Sequence, residues 1–505
     1  MIPAEQTEAH EFLCRLTGST PIETHVSAIY RGESLVWKMK KAVRFDFLDQ
    51  SRLDQRRRFL MRELALNSWA APGLYHAVRP ITRGDDGAFK LGGSPDGAVE
   101  WVIEMERVPE EDFFVRIAAD GRLDPTLLDR VADMVAAYHA GLPSVDLDLE
   151  QSLLNVVAGD ERAGVAAGLK PEKVAEWGKA MRGALALRTA WLARRAEAGF
   201  VRRAHGDLHL ANLCMWRGEP APFDALEFSE SLATIDLGHD LAFLLMDLDR
   251  RVSRAAANRV LSRYLARTGD YASLRGLALF LSMRAMVRAH VRASQGIADA
   301  ADYFSAARDY LRPDRMIVVA VGGLPGTGKS TLARTLAPEL GAAPGALVLR
   351  SDEIRKRVCQ AAPEQRLRPA AYDPEMDQWV HNEMVEGVRQ AIFARHAVIV
   401  DATFIEPAYR AALAELAASY GAPFVGLWLR APMETLEQRI AARRNDASDA
   451  TVTILRRIAA LDPGVRLWHD IDASDASDAA AQARAILGMA PAVRPVGINA
   501  DGGNP

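Results

Sequence analysis

The sequence predicts a two-domain chain in which an α+β domain is followed by an α/β domain with a parallel sheet. The length of 505 residues exceeds what one hydrophobic core usually organises. Strand-like runs at 22–47 and 78–108 give way to helical periodicity from about 125, with short strands again at 200–228. After Pro313, apolar strands alternate with helices, which is typical of a parallel sheet covered on both faces.

The boundary between the domains is marked by the segment LRPDR, in which Pro313 stands just before a new buried-strand pattern. We therefore predict one domain over 1–312 and a second over 313–490. Residues 491–505 are rich in Pro, Gly and Asn, so we expect this tail to be disordered.

The composition indicates which kinds of binding partner suit this chain. Charged residues make up 25 % of the chain and hydrophobic residues 49 %, and the net charge of −4 argues against nucleic acid or an anionic membrane as the main partner. No apolar run approaches the roughly 20 residues needed to span a bilayer. The N-terminus lacks the pattern of a signal peptide, and three scattered cysteines exclude a disulfide framework. We therefore expect a cytoplasmic protein whose partners are small molecules.

The most informative segment is MIVVAVGGLPGTGKST at 316–331, which combines a β-branched strand, a glycine-rich loop and a helix start. This order is the context that the phosphate-binding Walker A loop requires, because backbone N–H groups and the helix N-terminus then face a polyphosphate. Lys329 is expected to reach the β/γ-phosphates and the Ser330 hydroxyl to ligate Mg²⁺. The predicted nucleotide-binding residues are Gly323, Leu324, Pro325, Gly326, Thr327, Gly328, Lys329, Ser330 and Thr331. This pattern predicts that the chain binds ATP or GTP here.

The first half contains a second candidate catalytic segment, HGDLHLAN at 205–212 followed by PFDALEF at 222–228. An Asp five residues before an Asn, and then a later Asp, is the spacing of protein-kinase-like phosphotransferases. Asp207 is expected to orient the acceptor hydroxyl and take its proton. Asn212 and Asp224 are expected to hold metal ions, with Asp224 delivered by a buried strand.

An upstream lysine is expected to hold the α/β-phosphates. Lys38 and Lys40 in ESLVWKMKK are two residues apart and therefore share one strand face. The helix segment RRRFLMRELALN supplies Glu63 as the carboxylate partner. We favour Lys38 of the two lysines.

The segments HGDLHLAN, FDALEF and DLGHDLAFLLMDL carry a resemblance of residues 20–300 to the aminoglycoside phosphotransferase family, in the branch often fused to a P-loop kinase. The resemblance implies a two-lobed protein-kinase-like fold, ATP, Mg²⁺ and a small-molecule hydroxyl acceptor. Two features depart from the protein-kinase pattern: the turn THVS at 24–27 replaces a glycine-rich loop, and Ala225 replaces the glycine of the DFG motif.

Other interpretations of this half remain open at the level of sequence. His205 and His209 are four residues apart and would suit two metal ligands on a helix, but the intervening Gly206 and Asp207 favour a catalytic loop. Asp236 and Asp240 are alternative catalytic carboxylates, and for Asp240 we favour bracing of the catalytic loop or a helix cap.

A basic stripe is predicted on one helix face. Arg284, Arg288 and Arg292 recur every four residues. The stripe is compatible with binding of an anionic substrate, but we favour a solvated or salt-bridged face.

In the second half, Asp352 in ALVLRSDEIRKRV follows a strand at a helix start, where it suits a catalytic base facing the acceptor hydroxyl. The alternative is a simple helix N-cap by Ser351 or Asp352. Arg355, one turn further on, is a candidate substrate ligand. Asp401 ends the apolar strand AVIVD, as expected of a Walker B carboxylate that supports Mg²⁺.

The segment LEQRIAARRNDASDAT is predicted to be a mobile arginine-bearing lid. Arg439 and Arg443 would neutralise charge on the transferring phosphoryl group, and Arg444 would contact the nucleotide. The alternative is an exposed arginine-rich helix of the ordinary kind.

Four segments of the second half, GGLPGTGKST, RSDEIR, DATF and RIAARRNDASDA, carry a resemblance of residues 313–488 to the AAA-type P-loop kinases grouped with polynucleotide kinase, gluconate kinase and the zeta toxins. Taken with the first half, the sequence predicts a bifunctional ATP-dependent phosphotransferase. The alternative is one P-loop kinase or ATPase switch attached to a non-catalytic kinase-like sensor.

Overall fold

A computed structural model of the chain describes residues 1–45, 48–443, 446–465 and 467–489. Arg444 and the tail at 491–505 therefore lie outside the described residues. The chain divides into two compact units. Unit 1 comprises Met1–Tyr264 and Gly276–Pro313, and unit 2 comprises Leu265–Arg275 and the described residues from Asp314 onward.

The helices of the described residues, in chain order, are α1 (Thr7–Thr17), α2 (Leu53–Asn67), α3 (Phe114–Ala119), α4 (Pro125–Gly141), α5 (Leu149–Ala166), α6 (Pro171–Ala186), α7 (Thr189–Glu197), α8 (Glu230–Ala233), α9 (Leu237–Arg251), α10 (Arg254–Thr268), α11 (Leu274–Ser294), α12 (Ala300–Asp309), α13 (Lys329–Leu336), α14 (Ser351–Val358), α15 (Pro374–Phe393), α16 (Pro407–Ser419), α17 (Met433–Ala442), α18 (Val452–Ala459) and α19 (Ala476–Leu487).

The strands of the described residues are β1 (Ile22–Glu23), β2 (Ser27–Arg31), β3 (Leu35–Lys40), β4 (Arg44–Phe45), β5 (Leu48–Asp49), β6 (Tyr75–Arg83), β7 (Phe89–Leu91), β8 (Ala98–Glu106), β9 (Val201–Arg203), β10 (Leu213–Trp216), β11 (Glu219–Pro222), β12 (Thr234–Asp236), β13 (Val318–Gly323), β14 (Leu347–Arg350), β15 (Val398–Asp401), β16 (Phe424–Arg430) and β17 (His469–Asp472).

Unit 1 combines a sheet-containing lobe with a helical lobe, the arrangement that the sequence predicts. In the described residues its larger sheet is antiparallel, with strand order β1-β2-β3-β8-β6-β7, and α2 packs beside β6 and β8. The second lobe, from α4 onward, is mainly helical and includes two small two-stranded sheets. Helix α4 begins where the sequence predicts, because Asp124 caps its first turn and Pro125 occupies the first helical position.

Two small antiparallel sheets of unit 1 position the loop 204–212, which is named the catalytic loop below because it contains the candidate catalytic residue Asp207. Strand β9 pairs with β12, and β10 pairs with β11, so that residues 204–212 lie between two anchored strands. The sequence places Asp224 at the end of a buried strand. In the structure β11 ends at Pro222, and Asp224 follows it in a left-handed backbone conformation (φ 60°).

Unit 2 is an α/β sandwich around a parallel sheet. In its described residues the strand order is β14-β15-β13-β16-β17, and every neighbouring pair is parallel. Residues 317–321 and 398–400 are fully buried, as expected of strands covered on both faces. The predicted fold class is thus confirmed for both halves. No helix in the described part of the chain is long and apolar enough to cross a membrane.

Candidate active sites

The first site, defined by Lys38, Glu63, Asp207, Asn212 and Asp224, lies in unit 1. Lys38 and Lys40 project from the same face of β3, and both contact Glu63 of α2. Lys38 Nζ lies 2.8 Å from Glu63 Oε1, and Lys40 Nζ lies 2.6 Å from Glu63 Oε2. The structure therefore contains the predicted lysine–glutamate pair, with Glu63 completely buried between two ammonium groups.

The two lysines differ in their second partner. Lys38 also donates to Asp224 Oδ1, whereas Lys40 lies 2.5 Å from Glu227 Oε1. Burial opposes the charge of Lys38, but the carboxylates of Asp224 and Glu63 outweigh it and raise the pKa of this lysine. Lys38 is therefore the lysine that is coupled directly to the predicted metal ligand.

Glu227 was not predicted as a member of the site. Burial raises its pKa, and the Lys40 ammonium opposes that shift. The sequence does show a second carboxylate, three residues after Asp224 in DALEF. Its partner Lys40, however, is 187 residues away in the chain. Such a long-range pairing does not follow from local spacing.

The backbone around Asp224 is held by two side chains of the sheet lobe. The Asp224 N–H donates to the Tyr75 hydroxyl (3.0 Å), and the Ala225 N–H donates to Asn67 Oδ1 (3.0 Å). Burial opposes ionisation of Asp224, yet Lys38 and Lys40 lower its pKa below the ordinary value. Asp224 is therefore held as a carboxylate beside Lys38.

Asp207 and Asn212 form one hydrogen-bonded unit in the catalytic loop. The Asn212 amide donates to both the carbonyl and Oδ2 of Asp207, each at 2.9 Å. His209 Nε2 lies 3.4 Å from the same carboxylate oxygen. Burial opposes the charge of Asp207, but His209, His205 and Arg288 outweigh it and hold the pKa of this carboxyl well below its ordinary value. Asp207 is thus an ionised acceptor of hydrogen bonds.

Asp240 braces the catalytic loop, as the sequence favours. Its carboxylate accepts from the backbone N–H groups of His205 (3.2 Å) and Gly206 (2.9 Å), and His139 Nε2 lies 3.1 Å away. Burial opposes ionisation of Asp240, but the hydrogen bond from His139 lowers its pKa to about 2. Asp236, the other alternative carboxylate, caps α9 and pairs with the buried Arg195.

The two histidines of the loop are engaged in hydrogen bonds rather than in a shared metal site. His205 Nε2 lies 3.0 Å from the carbonyl of Phe223, and His209 Nδ1 accepts from the Ala211 N–H at 3.2 Å. These contacts fix both rings as supports of the loop.

The donor set of the first site fits Mg²⁺. Asp224 offers a carboxylate that is 38 % exposed at the side chain. Asn212 uses its amide nitrogen on Asp207, which turns the amide oxygen away from that residue. Carboxylate and amide oxygens are the hard ligands that Mg²⁺ prefers.

The second site, in unit 2, is defined by the loop 323–328 with Lys329, Ser330, Asp352 and Asp401. The loop needs glycine for its close approaches. A Cβ at Gly326, whose φ is 86°, would lie 2.8 Å from the carbonyl oxygen of Leu436. Helix α13 begins directly after the loop, at Lys329. The segment thus has the strand, loop and helix order predicted for a phosphate cradle.

Lys329 and Ser330 are held at the mouth of this loop. Lys329 Nζ donates to the carbonyl of Leu324 (3.0 Å), and burial lowers the pKa of this lysine. Ser330 Oγ donates to Asp401 Oδ2 at 2.5 Å. The predicted hydroxyl and carboxylate ligands are therefore adjacent at the carboxyl end of β15, and they fit a Mg²⁺ site.

Asp352 lies in the first turn of α14, and the helix has no side-chain cap at its N-cap position, Arg350. Burial raises the pKa of Asp352, while Arg350 opposes the shift. The hydroxyl of Ser448 hydrogen-bonds the Asp352 carboxylate. Asp352 therefore faces the loop that carries Ser448.

Arg350 is a central member of the second site that was not predicted. It lies 2.8 Å from Glu353 Oε1, and 3.3 Å each from Asp401 Oδ2 and Asp446 Oδ1. Burial opposes its charge, but Glu353 and Asp401 raise the pKa of the guanidinium. Its position at the end of β14 was a signal, since carboxyl ends of parallel strands converge, but its partners are distant in sequence.

The predicted lid arginines occupy different positions. Arg439 donates to the backbone carbonyls of Ala473 and Ser474, each at 2.8 Å. The charge of Arg443 acts on both Lys329 and Asp446. Arg443, rather than Arg439, therefore lies within electrostatic range of Lys329 at the phosphate loop.

The segment after Asp446 is clamped to α14 through Asp449. Its carboxylate lies 2.8 Å from Lys356 Nζ and accepts from the Tyr372 hydroxyl (2.6 Å) and the Leu367 N–H (3.0 Å). Arg355, the predicted substrate ligand, donates to Asp377 Oδ1 at 2.6 Å. These contacts were not predictable from spacing.

Comparison with known proteins gives a family match in the second half. Residues 318–461 match the family model described as an AAA domain, which includes the loop, Asp352 and Asp401. The resemblance of this half to P-loop proteins is thereby confirmed. An uncharacterized protein of Mycobacterium tuberculosis is 29 % identical over 468 residues, covering 89 % of this chain and 91 % of the relative.

Similar solved structures divide between the two halves. A choline/ethanolamine kinase family protein from Mesorhizobium loti is 14 % identical, with a TM-score of 0.38, over 61 % of this chain and 95 % of that chain. A gluconokinase from Sinorhizobium meliloti is 19 % identical, with a TM-score of 0.26, over 34 % of this chain and 93 % of that chain.

Proposed function

We propose that the chain is a bifunctional ATP-dependent phosphotransferase, in which each unit transfers the γ-phosphate of ATP to a hydroxyl of a small molecule. The observation that supports this most directly is that each unit holds its own set of cation, base candidate and hard oxygen ligands. Acceptors of the sugar, aminoglycoside-like or nucleotide-like class suit such sites. Three free thiols are consistent with a reducing, cytoplasmic location.

In the first site, Lys38, held by Glu63, binds the α/β-phosphates of ATP. Asp207 accepts the proton of the acceptor hydroxyl while the new oxygen–phosphorus bond forms and the bond to ADP breaks. Asn212 orients Asp207 through its amide. Asn212 and Asp224 would hold Mg²⁺, which would neutralise phosphate charge.

In the second site, the N–H groups of the loop and Lys329 bind the β/γ-phosphates. Asp352 is the base for the acceptor hydroxyl, and its raised pKa, caused by burial, brings it closer to neutral pH. Ser330 and Asp401 are the Mg²⁺ ligands. Arg443 supplies positive charge near the transferred phosphoryl group, a role we do not propose for Arg439 because its guanidinium is used on backbone carbonyls.

The experiment is product detection from γ-labelled ATP with a cytosolic metabolite extract. Wild type, Asp207→Ala and Lys329→Ala are compared, with Asp146→Ala and Lys179→Ala as matched controls at exposed positions. We expect Asp207→Ala to remove one set of labelled products and Lys329→Ala another, while both controls retain all products.

The outcomes separate the candidate functions. Loss of both product sets from either single change contradicts independent sites. If Asp207→Ala changes nothing, the first unit is a non-catalytic sensor attached to one kinase. Label that appears only as free phosphate indicates an ATPase switch instead of a transferase.

A further inference from the structure

The arginine stripe of α11 divides into two kinds of residue. Arg292 pairs with Asp299, whereas Arg284 and Arg288 face the ring of Phe243 on α9, with their guanidinium carbons 4.8 Å and 5.8 Å from its centroid. The expectation of a salt-bridged face is therefore met by Arg292 and, through a longer contact of 3.9 Å with Asp247, by Arg288.

Phe243 connects these two arginines to the catalytic loop. The ring of His209 lies edge-on to Phe243 at 5.1 Å, and His209 Nε2 lies 3.4 Å from Asp207 Oδ2. Both arginines also act electrostatically on Asp207. Two positive charges thus lie beside the base candidate, on the side of the loop formed by α9 and α11.

The hydrogen-bonding capacity of these guanidinium groups is only partly used by the described residues. Arg284 is 6 % exposed; its Nε donates to the carbonyl of His239 at 3.2 Å, but Nη2 has no hydrogen-bond partner in the described part of the chain. Arg288 Nε also lacks one there, and Arg288 Nη2 lies 3.9 Å from Asp247 Oδ1, beyond hydrogen-bond distance. A buried donor without a partner costs free energy.

Two of the nearby carboxylates are engaged with other groups, whereas the buried Asp247 lies 3.9 Å from Arg288. Asp240 accepts from the catalytic-loop backbone and from His139, and Asp160 contacts His290 at 3.3 Å. Burial, reinforced by Arg284, holds the pKa of His239 far below its ordinary value, so this neighbour adds no charge. Asp247 therefore offsets part of the positive charge, but Arg284 Nη2 and Arg288 Nε still have no hydrogen-bond partner among the described residues, and both donors are available to an acceptor group.

We propose that Arg284 and Arg288 bind an oxyanion of the acceptor, so that the hydroxyl compound phosphorylated by the first site carries a carboxylate or a phosphate group. This inference rests on the function proposed above for that site. Guanidinium donors suit either oxyanion, because their planar fork matches two oxygens at once. The same pair of charges disfavours aminated, cationic acceptors by like-charge repulsion.

The test uses the full chain carrying Lys329→Ala, which silences the second site. A metabolite extract is passed over an anion exchanger, and the flow-through and the eluted anions are incubated separately with γ-labelled ATP. We expect Asp207-dependent product only from the eluted fraction. Treating the eluted fraction with alkaline phosphatase before the assay then distinguishes hydroxy acids from sugar phosphates, because the treatment destroys only the phosphate-bearing acceptors.

Substitutions test the assignment to these residues. Arg284→Gln and Arg288→Gln should each lower kcat/KM for the eluted acceptor about tenfold or more, mainly through KM, because each loses a charge-assisted hydrogen bond. Arg292→Gln, four residues further along the same face, should remain within about twofold of the parent. Thermal melts identify any variant that fails to fold, and Arg284→Lys should recover part of the loss because it keeps the charge.

Product from the flow-through would overturn the proposal and would assign the arginines to the transferred phosphoryl group. If neither fraction yields Asp207-dependent product, the proposed kinase function itself fails. The oxyanion site is then tested by a binding measurement. Inorganic phosphate, titrated at constant ionic strength, should then raise the Tm of Arg292→Gln but not that of the Arg284→Gln/Arg288→Gln double variant. Equal shifts in the two proteins would refute the oxyanion site.

Discussion

At the scale of single residues, the first site shows two lysines of one strand that share a carboxylate but have different surroundings. Lys38 contacts the exposed side of the cluster through Asp224, while Lys40 contacts the buried Glu227. A position beside the predicted metal ligand suits phosphate binding. A position between two buried carboxylates suits charge balance within the fold.

The first prediction concerns Lys38→Met. Loss of this phosphate-binding cation should reduce kcat of the first site on the order of 100-fold, the size typical of removing one preorganised electrostatic contact. Activity of the second site, measured in the same preparation, should not change. A loss below fivefold would show that Lys38 does not bind the nucleotide.

The second prediction concerns Lys40→Met. This change leaves Glu63 and Glu227 as buried carboxylates with one cation fewer, so unit 1 should lose about 3 kcal/mol or more of unfolding free energy. Urea unfolding followed by tryptophan fluorescence measures the loss. The double variant Lys40→Met/Glu227→Gln removes one negative charge as well and should recover much of it. If the double variant is less stable than the single one, charge balance is not the function of Lys40.

At the scale of elements, the segment after Asp446 is held to α14 by the Asp449 carboxylate and the Ser448 hydroxyl. Asp449 accepts from a lysine, a tyrosine and a backbone N–H, and the neighbouring Ser448 contacts Asp352. The candidate base of the second site is therefore positioned partly by a loop that α14 itself fixes.

The third prediction is that Asp449→Ala releases this loop. Limited proteolysis should cut within 446–451 at least about tenfold faster than in the parent, because removing the Asp449 carboxylate lowers the free energy needed to open the loop locally. Asp462→Ala provides the control, since Asp462 accepts only a local backbone N–H in the described residues. An unchanged cleavage rate would show that other side chains hold the loop.

The parts of both sites that the sequence predicts are those encoded locally. The phosphate loop and the Asp207–Asn212 pair are short segments whose spacing dictates their geometry, and the pairing of Lys38 with Glu63 follows from a strand face meeting a helix. The residues that sequence reasoning missed, Arg350 and Glu227, have partners up to 96 and 187 residues away.

The arginine stripe illustrates the same limit within one helix. Spacing by four predicts that Arg284, Arg288 and Arg292 share a face, but it does not distinguish their surroundings. Only the packing of α9 against α11 separates Arg292, paired with Asp299, from the two arginines beside Phe243. Side-chain partners of this kind depend on tertiary contacts rather than on periodicity.

At the scale of the whole molecule, two phosphoryl-transfer sites on one chain use the same type of base in opposite electrostatic environments. Burial opposes ionisation of Asp207, but the contacts of His209, His205 and Arg288 outweigh it and lower its pKa. Burial prevails at Asp352 and raises its pKa. The two activities should therefore respond differently to acid.

The fourth prediction follows from these signs. A base is active when ionised, so each rate falls as the pH drops through the pKa of its carboxyl. For an ordinary aspartate that value is about 4. The pH at which the activity of the second site falls by half on the acid side (its acid limb), measured with the Asp207→Ala protein, should lie above this ordinary value. The acid limb of the first site, measured with the Lys329→Ala protein, should lie below the same value. Ser448→Ala removes a hydrogen bond that lowers the pKa of Asp352, so it should move only the limb of the second site to higher pH. Coincident limbs, or a Ser448→Ala shift in both activities, would contradict the assignment of Asp207 and Asp352 as the two bases.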